Sequence, residues 1–325
     1  MSTLPRYVIG LDIGGTNLVG AVVESATGRL LSREDMPTAS QNGVEDGLRR
    51  ISAMITRLIS DAAVARHEIG GVGIGSTGPL DSGMGVIKNP YNLPGWDEFP
   101  IVDHIQTTLH YPAVLIGDCD AAVLGEAWQG AGRGWRNIVY ITVGTGIGGG
   151  VIIDGKLYRP IGSAAVEIGH HTLDMHGTKC YCGANGCWEV LASAPAIVRR
   201  AKVAFVGAPD DSPLMRLVGG DLDQITAERV SIAASQGDPI AQAQVNETAT
   251  IMGVGITNVM NIFGPEVVIL GGGVMKGWSL FEPIASQIIA ARESVVPLHL
   301  IKLVRAKLGL SAGVTGAAKA MIDMI

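Results

Sequence analysis

The chain has 325 residues, of which 47% are hydrophobic and 17% are charged, and this composition excludes an intrinsically disordered chain. Its length is too great for one ordinary core and is comfortable for two domains. The formal net charge of −6 argues against a nucleic-acid-binding surface, which is usually basic, although backbone amides could still bind an anionic ligand.

The apolar segments predict a cytoplasmic protein without a membrane partner. The first apolar run, residues 7–11, is short and is followed by Asp12, which is unlike a signal peptide. The longest run, residues 138–153, is interrupted by glycines and is shorter than the ~20 residues that cross a bilayer.

The first part of the chain predicts an α/β fold that opens with a glycine-rich β-hairpin. Alternating and continuous apolar runs indicate strands, and apolar residues at helical spacing indicate helices. In chain order we expect strands at 7–12, 18–24 and 30–36, a helix at 44–65, a strand at 69–75, a short helix at 101–109 and a strand at 113–116.

The glycine-rich hairpin then recurs at residues 137–154. A shift of 130 residues places Gly14 on Gly144 and Gly20 on Gly150, so the sequence contains a weak internal repeat. Two such halves predict two lobes around a cleft. The remaining expected elements are helices at 191–205, 226–236, 239–261 and 312–324 and a strand at 267–270.

We expect the smaller lobe to contain residues 1–117 together with 312–325, and the larger lobe to contain residues 118–311. In this arrangement the last helix crosses back to the first lobe.

Three glycine-rich segments are candidates for binding nucleotide. Glycine lets backbone amides approach phosphate oxygens, Asp12 can hold magnesium through water, and Thr16 adds a hydroxyl donor. The second segment repeats this design without a carboxylate, and the third follows a buried strand and can make room for adenine. The candidate residues are Asp12, Gly14, Gly15, Thr16, Gly144, Thr145, Gly146, Gly272 and Gly273.

Two glycine patterns match the dinucleotide-binding fingerprint by spacing alone, one starting at Gly73 and one at Gly144. That fingerprint requires a strand, a tight turn and then a helix. The second pattern is followed by another strand and the first by Pro79 and a loop, so we reject this interpretation. A plain tight turn is the alternative for any single pattern.

A cysteine cluster predicts a structural zinc site. One imidazole and three thiolates, from His170, Cys180, Cys182 and Cys187, suit tetrahedral zinc and leave no open coordination position. In a chain of this length the close spacing of the cysteines favours a metal over disulfides. Free thiols beside an unrelated histidine are the alternative, and His171 competes for the fourth position.

Asp118 is a candidate general base. It follows the predicted strand at 113–116, and a carboxylate at a strand end can accept a proton from a hydroxyl. Its alternative role is as the N-cap of the following helix, since Asp118 and Asp120 both precede an apolar helical segment. Glu126 is expected to lie on a face of that helix.

Taken in order, these motifs closely resemble those of the ROK family (repressors, open reading frames and kinases) over nearly the whole chain. The motifs are Asp12-Ile-Gly-Gly-Thr16, Asp118, Gly144-Thr-Gly-Ile-Gly148, Glu167-Ile-Gly-His170, Cys180-x-Cys182-Gly-x-x-Gly-Cys187-x-Glu189 and Gly271-Gly-Gly273. The resemblance implies an actin-like ATPase (ribonuclease H-like) fold, with duplicated mixed β-sheet domains around a cleft.

The resemblance also implies an ATP- and Mg²⁺-dependent hexose kinase that phosphorylates the 6-hydroxyl, with glucose as the leading substrate. Asp118 would take the proton from that hydroxyl, and the two hairpins would hold the ATP phosphates. Asn92, Glu167, His170 and Glu189 would contact the sugar, with one nitrogen of His170 on zinc and the other on a ring hydroxyl.

Three positions depart from the family pattern. Gly117 stands where an asparagine usually precedes the catalytic aspartate, Asp120 replaces another asparagine, and Val166 replaces the glycine before the sugar-binding glutamate. These changes leave open other hexoses as substrates: an N-acylhexosamine, mannose, fructose or an amino sugar.

Two other functional classes compete with the kinase. A sugar-sensing regulator would need a DNA-binding domain, and only six residues precede the first expected strand. An actin-like ATPase acting on a protein partner would not need the histidine and cysteine motif. We therefore expect sugar and ATP as partners, no nucleic acid, and a homodimer or homotetramer, as is common in the family.

Overall fold

The computed structural model describes residues 4–90, 92–160, 166–292 and 297–325. Within these ranges, none of the helices combines the length and the apolar character needed to cross a membrane.

The described strands form two five-stranded sheets and one small two-stranded sheet. The strands are β1 (Tyr7–Ile13), β2 (Asn17–Glu24), β3 (Leu30–Pro37), β4 (Ile69–Ser76), β5 (Leu80–Asp81), β6 (Val86–Ile87), β7 (Ala113–Gly117), β8 (Ile138–Val143), β9 (Ile147–Ile153), β10 (Lys156–Leu157), β11 (Val267–Gly271) and β12 (Lys302–Arg305).

The helices are mostly short, apart from α1 and α8. They are α1 (Gly43–Asp61), α2 (Ile101–His104), α3 (Asp118–Gln129), α4 (Trp188–Ala192), α5 (Ala194–Ala204), α6 (Pro213–Val218), α7 (Ala227–Ser235), α8 (Pro239–Phe263), α9 (Trp278–Ala290) and α10 (Ala312–Met324).

The two large sheets repeat one arrangement. The first has the order β3-β2-β1-β4-β7 and the second the order β10-β9-β8-β11-β12. In the first sheet the hairpin strands pair antiparallel, and β1, β4 and β7 pair in parallel. In the second, β9 and β10 are antiparallel and β11 and β12 parallel. The duplicated mixed sheet expected from the repeat is confirmed.

Most predicted elements are present, with shifted ends. The expected helix at 44–65 ends at Asp61, and Ala63 just beyond it has a positive φ of 53°. The expected helix at 191–205 is divided into α4 and α5 at Ser193. The helix at 101–109 is a single α-turn followed by a π-helical turn over Ile105–Leu109.

The first sheet is covered on both faces. Alternate residues of β1, such as Ile9 and Leu11, join the core formed with Met54 and Leu58 of α1. The intervening Val8 packs with residues of α10 on the other face. Burial on both faces explains why β1 reads as a nearly continuous apolar run rather than an alternating one.

Glycines allow α10 to lie directly against the first sheet and α3. A Cβ atom at Gly73 of β4 would lie 1.8 Å from the carbonyl oxygen of Ala317, and one at Gly316 would lie 1.6 Å from that of Ala121. Real Cβ atoms never approach so closely, so only glycine fits. The pattern that starts at Gly73 therefore serves helix packing, and α10 lies directly against the first sheet.

The contacts divide the chain into two compact units. The first contains Met1–Tyr140, Gly150–Val166 and Ala306–Ile325, and the second contains Ile141–Gly149 and Glu167–Arg305. The first unit thus extends past the expected limit at residue 117, because α3 packs against α10. The functional lobe limits, 1–117 with 312–325 and 118–311, stay a prediction.

Candidate active site and metal centre

The side chains of two aspartates lie at the same edge of the first sheet. Asp12 of β1 pairs with Gly75 of β4, and Gly75 pairs with Ile116 of β7, two residues before Asp118. Because these three strands are parallel, their carboxyl ends meet at one edge, where α/β proteins bind ligands. The backbones of β1 and β7 are separated by about 10 Å, two strand spacings.

The pKa values of both carboxyl groups are raised above the usual value for aspartate. Burial, and then the negative charge of Asp118, raises the pKa of Asp12 to about 7. Part of Asp118 is exposed to solvent, but protein atoms surround its carboxylate, and this desolvation raises the pKa of Asp118. The amide of Cys119 donates a hydrogen bond of 2.7 Å to Oδ1, which opposes the shift without cancelling it. Two neighbouring acids with raised pKa values are typical of a functional site.

Asp118 is not the N-cap of α3. Gly117 occupies the N-cap position with extended backbone, and Asp118 is the first residue of the helix. The alternative capping role therefore does not account for this carboxylate. Asp120 is buried in the same turn.

The first glycine-rich hairpin is held in shape by its own backbone and by Thr38. The amide of Gly14 donates to the carbonyl of Asn17 at 3.0 Å, and the Thr38 hydroxyl donates to the carbonyl of Gly14 at 2.5 Å. A Cβ atom at Gly15 would lie 2.6 Å from Cβ of Asn92. The structure therefore places Asn92 directly against this turn.

The first turn of α10 packs against the carboxylate of Asp12. A Cβ atom at Gly313 would lie 2.1 Å from Oδ2 of Asp12, so glycine is required at this position. The positive end of the helix dipole thus faces the carboxylate.

The second hairpin, residues 144–148, is tied to Glu189. Oε2 of Glu189 accepts a hydrogen bond of 2.9 Å from the amide of Ile147, and a Cβ atom at Gly146 would lie 2.4 Å from the same oxygen. Glycine at 146 therefore makes room for this carboxylate, which fixes the turn.

The third glycine segment lies against the end of β8, which leads into the second hairpin. Gly272 has a φ of 91°, and a Cβ atom there would lie 2.3 Å from the carbonyl oxygen of Val143. Cβ atoms at Gly144 and Gly273 would meet nothing within 4 Å. These backbones can therefore be approached by a ligand, and Thr145 is exposed beside them.

The predicted metal ligands come together as one cluster. One ligand atom each from His170, Cys180, Cys182 and Cys187 lies within 4.8 Å of all the others. Sγ of Cys180 is 3.6 Å from Nδ1 of His170, and the sulfurs of Cys182 and Cys187 are 3.5 Å apart. A tetrahedral zinc with bonds of about 2.3 Å requires sulfur separations of about 3.8 Å. The donor set and spacing therefore fit zinc.

The geometry distinguishes the two adjacent histidines. His170 directs Nδ1 towards Cys180, whereas Nδ1 of His171 faces the carbonyl of Ile168 at 2.5 Å and its ring packs on Trp188. His171 lies outside the cluster, so the fourth ligand candidate is His170.

The second nitrogen of His170 faces other polar groups. Nε2 lies 3.0 Å from the hydroxyl of Tyr181 and 4.0 Å from Oε2 of Glu167. Sequence reasoning missed Tyr181. Its position between Cys180 and Cys182 was a signal that it lies beside the cluster.

Sequence reasoning also missed the role of Glu126. Its side chain is fully buried, and its carboxylate accepts hydrogen bonds from the amides of Ala131, Lys307 and Leu308. Glu126 thus joins the end of α3 to the segment that leads into α10, and it supports the helix that begins at Asp118.

Comparison with known proteins agrees with this set of motifs. The sequence model of the ROK family matches residues 8–323. The glucokinase of Thermotoga maritima is 34% identical over 98% of both chains. The chain belongs to the ROK family.

Solved ROK structures share the fold. A ROK family glucokinase from Streptomyces griseus, in complex with glucose and AMPPNP, superposes with a TM-score of 0.79 at 34% identity, covering 97% of this chain and 98% of that one. A ROK family transcriptional regulator, a homologue of the E. coli MLC protein, has a TM-score of 0.83 at 25% identity and covers 98% and 79%. The predicted actin-like ATPase fold class is confirmed.

Proposed function

We propose that this ROK protein is an ATP-dependent hexose kinase that phosphorylates the 6-hydroxyl of glucose. The observation that supports this most directly is the pair of acids, Asp12 and Asp118, at one edge of the first sheet, beside a glycine-rich hairpin. The similarity to glucokinases over nearly the whole chain supports the choice of hexose.

Asp118 is the general base in this proposal. It accepts the proton of the sugar 6-hydroxyl while that oxygen bonds to the γ-phosphorus of ATP and the bond between this phosphorus and the β,γ-bridging oxygen breaks, releasing ADP. A raised pKa suits this role, because a carboxylate with a higher affinity for protons is a stronger base near neutral pH.

The sugar-binding role is proposed for Asn92, Glu167, His170 and Glu189. In His170, Nδ1 faces Cys180, and Nε2 lies 3.0 Å from the Tyr181 hydroxyl. With Nδ1 on a metal, Nε2 would carry the ring proton and could donate it to a sugar ring hydroxyl. Fixing one imidazole nitrogen on a metal would also fix the tautomer and the orientation of the ring.

The nucleotide role is proposed for the three glycine segments: Asp12, Gly14, Gly15, Thr16, Gly144, Thr145, Gly146, Gly272 and Gly273. Phosphoryl transfer depends mainly on positioning and charge stabilisation, which backbone amides supply. Magnesium would neutralise phosphate charge, and it would be held near Asp12, whose pKa is raised by burial and by Asp118.

We propose that the cysteine cluster holds one structural zinc ion. Burial and the neighbouring sulfurs raise the pKa of Cys187 to about 12, so a thiolate at this position needs a cation to be stable. Metal analysis should find one zinc per chain, and Cys182→Ser should lose it, whereas Cys119→Ser, outside the cluster, should retain it. Zinc-free wild-type protein with an unchanged melting temperature would contradict the proposal.

The kinase assay is ADP release with Mg-ATP across glucose, mannose, fructose, N-acetylglucosamine, N-acetylmannosamine and amino sugars. We expect the highest kcat/KM for glucose, and loss of at least 100-fold in Asp118→Asn. Asp103→Asn, at an exposed position of α2, is the matched control and should retain full activity. A preference for an amino sugar would instead indicate that the residues that depart from the family pattern, Gly117, Asp120 and Val166, change the substrate specificity.

A sugar-responsive regulator is the second candidate. The similarity to the MLC homologue favours it, and that regulator is longer than this chain. Sugar binding without ADP release from any sugar in the panel would support it.

The quaternary structure and location stay predictions. We propose a homodimer or homotetramer located in the cytoplasm, and light scattering of the purified protein tests the first statement.

A further inference from the structure

Tyr181 lies between two cysteines of the metal cluster and contacts its histidine. The phenol oxygen is 3.0 Å from Nε2 of His170, and the two rings meet edge to face, with centroids 5.1 Å apart and planes at 87°. Nε2 is the nitrogen that does not face Cys180, so Tyr181 occupies the side of the imidazole that is open to a ligand.

The same hydroxyl lies among the other proposed sugar contacts of its unit. Oε2 of Glu167 is 4.0 Å from Nε2 of His170. The carboxylates of Glu189 and Glu167 both lie close enough to the Tyr181 hydroxyl to interact with it electrostatically. One phenol group therefore contacts His170 and lies beside Glu167 and Glu189, which are also proposed to bind ring hydroxyls.

We propose that Tyr181 is an affinity-setting residue: in the sugar-free protein its hydroxyl occupies the place of a sugar hydroxyl, and the hexose displaces it. This inference rests on the proposed function. The single proton site on Nε2 cannot serve both partners at once. The residue is 81% exposed, so its ring can turn away without opening the core.

Because the sugar must displace the Tyr181 hydroxyl, the apparent KM for sugar is raised. The phosphoryl transfer that follows is unchanged. The protein must break the tyrosine–histidine bond before sugar binds, which lowers the fraction of protein ready to bind. For a hydrogen bond of ordinary net strength, this lowers the apparent affinity by about 2- to 10-fold.

The test is the glucose KM of Tyr181→Phe at saturating Mg-ATP. We expect the KM to fall by about 2- to 10-fold, with kcat and the KM for ATP unchanged. Tyr181→Ala should show the same fall, because both changes remove the hydroxyl. Tyr158→Phe, at an exposed tyrosine outside the cluster, is the matched control and should leave every constant unchanged.

The possible outcomes separate this inference from the proposed function. An unchanged or raised KM in both variants, with active wild-type protein and normal zinc content, would overturn the inference alone and would make Tyr181 either a bystander or a direct sugar contact. Wild-type protein without turnover on any sugar would overturn the proposed function, and the inference with it.

Discussion

Replacing Glu126 by glutamine should destabilise the protein strongly although the two side chains have nearly the same shape. In the native structure Oε1 accepts from the amides of Lys307 and Leu308 at 2.9 and 2.8 Å, and Oε2 accepts from that of Ala131 at 2.7 Å. A carboxamide has only one accepting oxygen, so at least one buried amide faces an NH₂ group.

The cost is the sum of a lost hydrogen bond to a charged group and a buried donor without a partner, about 2–4 kcal/mol in the free energy of unfolding. For a unit of this size that lowers the melting temperature by roughly 5–10 °C. The assay is thermal unfolding of Glu126→Gln, with Glu282→Gln on the exposed face of α9 as the control. A shift below 1 °C in Glu126→Gln would show that these hydrogen bonds to Glu126 contribute little to stability.

Two further predictions concern the same unit. Gly316→Ala should lower the free energy of unfolding by about 3 kcal/mol or more, because its Cβ atom would lie 1.6 Å from the carbonyl oxygen of Ala121. Gly277→Ala in the second unit, where the nearest atom would be 3.5 Å away, is the control and should cost less than about 1 kcal/mol. A Gly316→Ala protein that melts at the wild-type temperature would contradict the packing argument. The folded-state pKa of Asp12 is about 7, above its usual 3.8, so stability present at low pH is lost as the pH rises through 7. The free energy of unfolding of Asp12→Asn should therefore rise relative to that of the wild type between pH 4 and pH 8, by up to about 4 kcal/mol. The measurement is made in buffer without metal or nucleotide. Parallel curves of unfolding free energy against pH would show that Asp12 does not titrate in this range.

The elements that were predictable are those with strong local signals. The glycine-rich hairpins follow from apolar runs that flank glycines, and α10 begins at Ala312 and ends at Met324 as expected. The four cluster residues were predictable from ligand type and spacing, because three of the four lie within eight residues of one another.

What could not be predicted depends on contacts that are distant in sequence. Glu126 looks like an ordinary helical glutamate, and its amide partners at Lys307 and Leu308 are more than 180 positions away. Likewise, no local pattern shows that Gly316 packs on the carbonyl of Ala121. For α9 the sequence indicated only that the segment after Gly273 could be helical. Its bounds could not be predicted, because Pro283, a residue type that usually ends helices, lies inside the helix.

The limits of the compact units also depend on contacts that are distant in sequence. Asp118 follows a strand and opens a helix, which looks like a boundary between halves of the chain. The packing of that helix against α10 places it in the first unit instead, and this contact joins residues that are separated by most of the sequence.

In the proposed reaction this protein transfers phosphate from ATP to a hexose, with Asp118 as the base. The most direct test is ³¹P NMR of the products formed from Mg-ATP and glucose by the wild-type protein and by Asp118→Asn. The wild type should form one glucose 6-phosphate for every ADP, and the variant should form neither product above background. ADP that appears with inorganic phosphate alone, or an Asp118→Asn protein as active as the wild type, would rule out the proposed reaction.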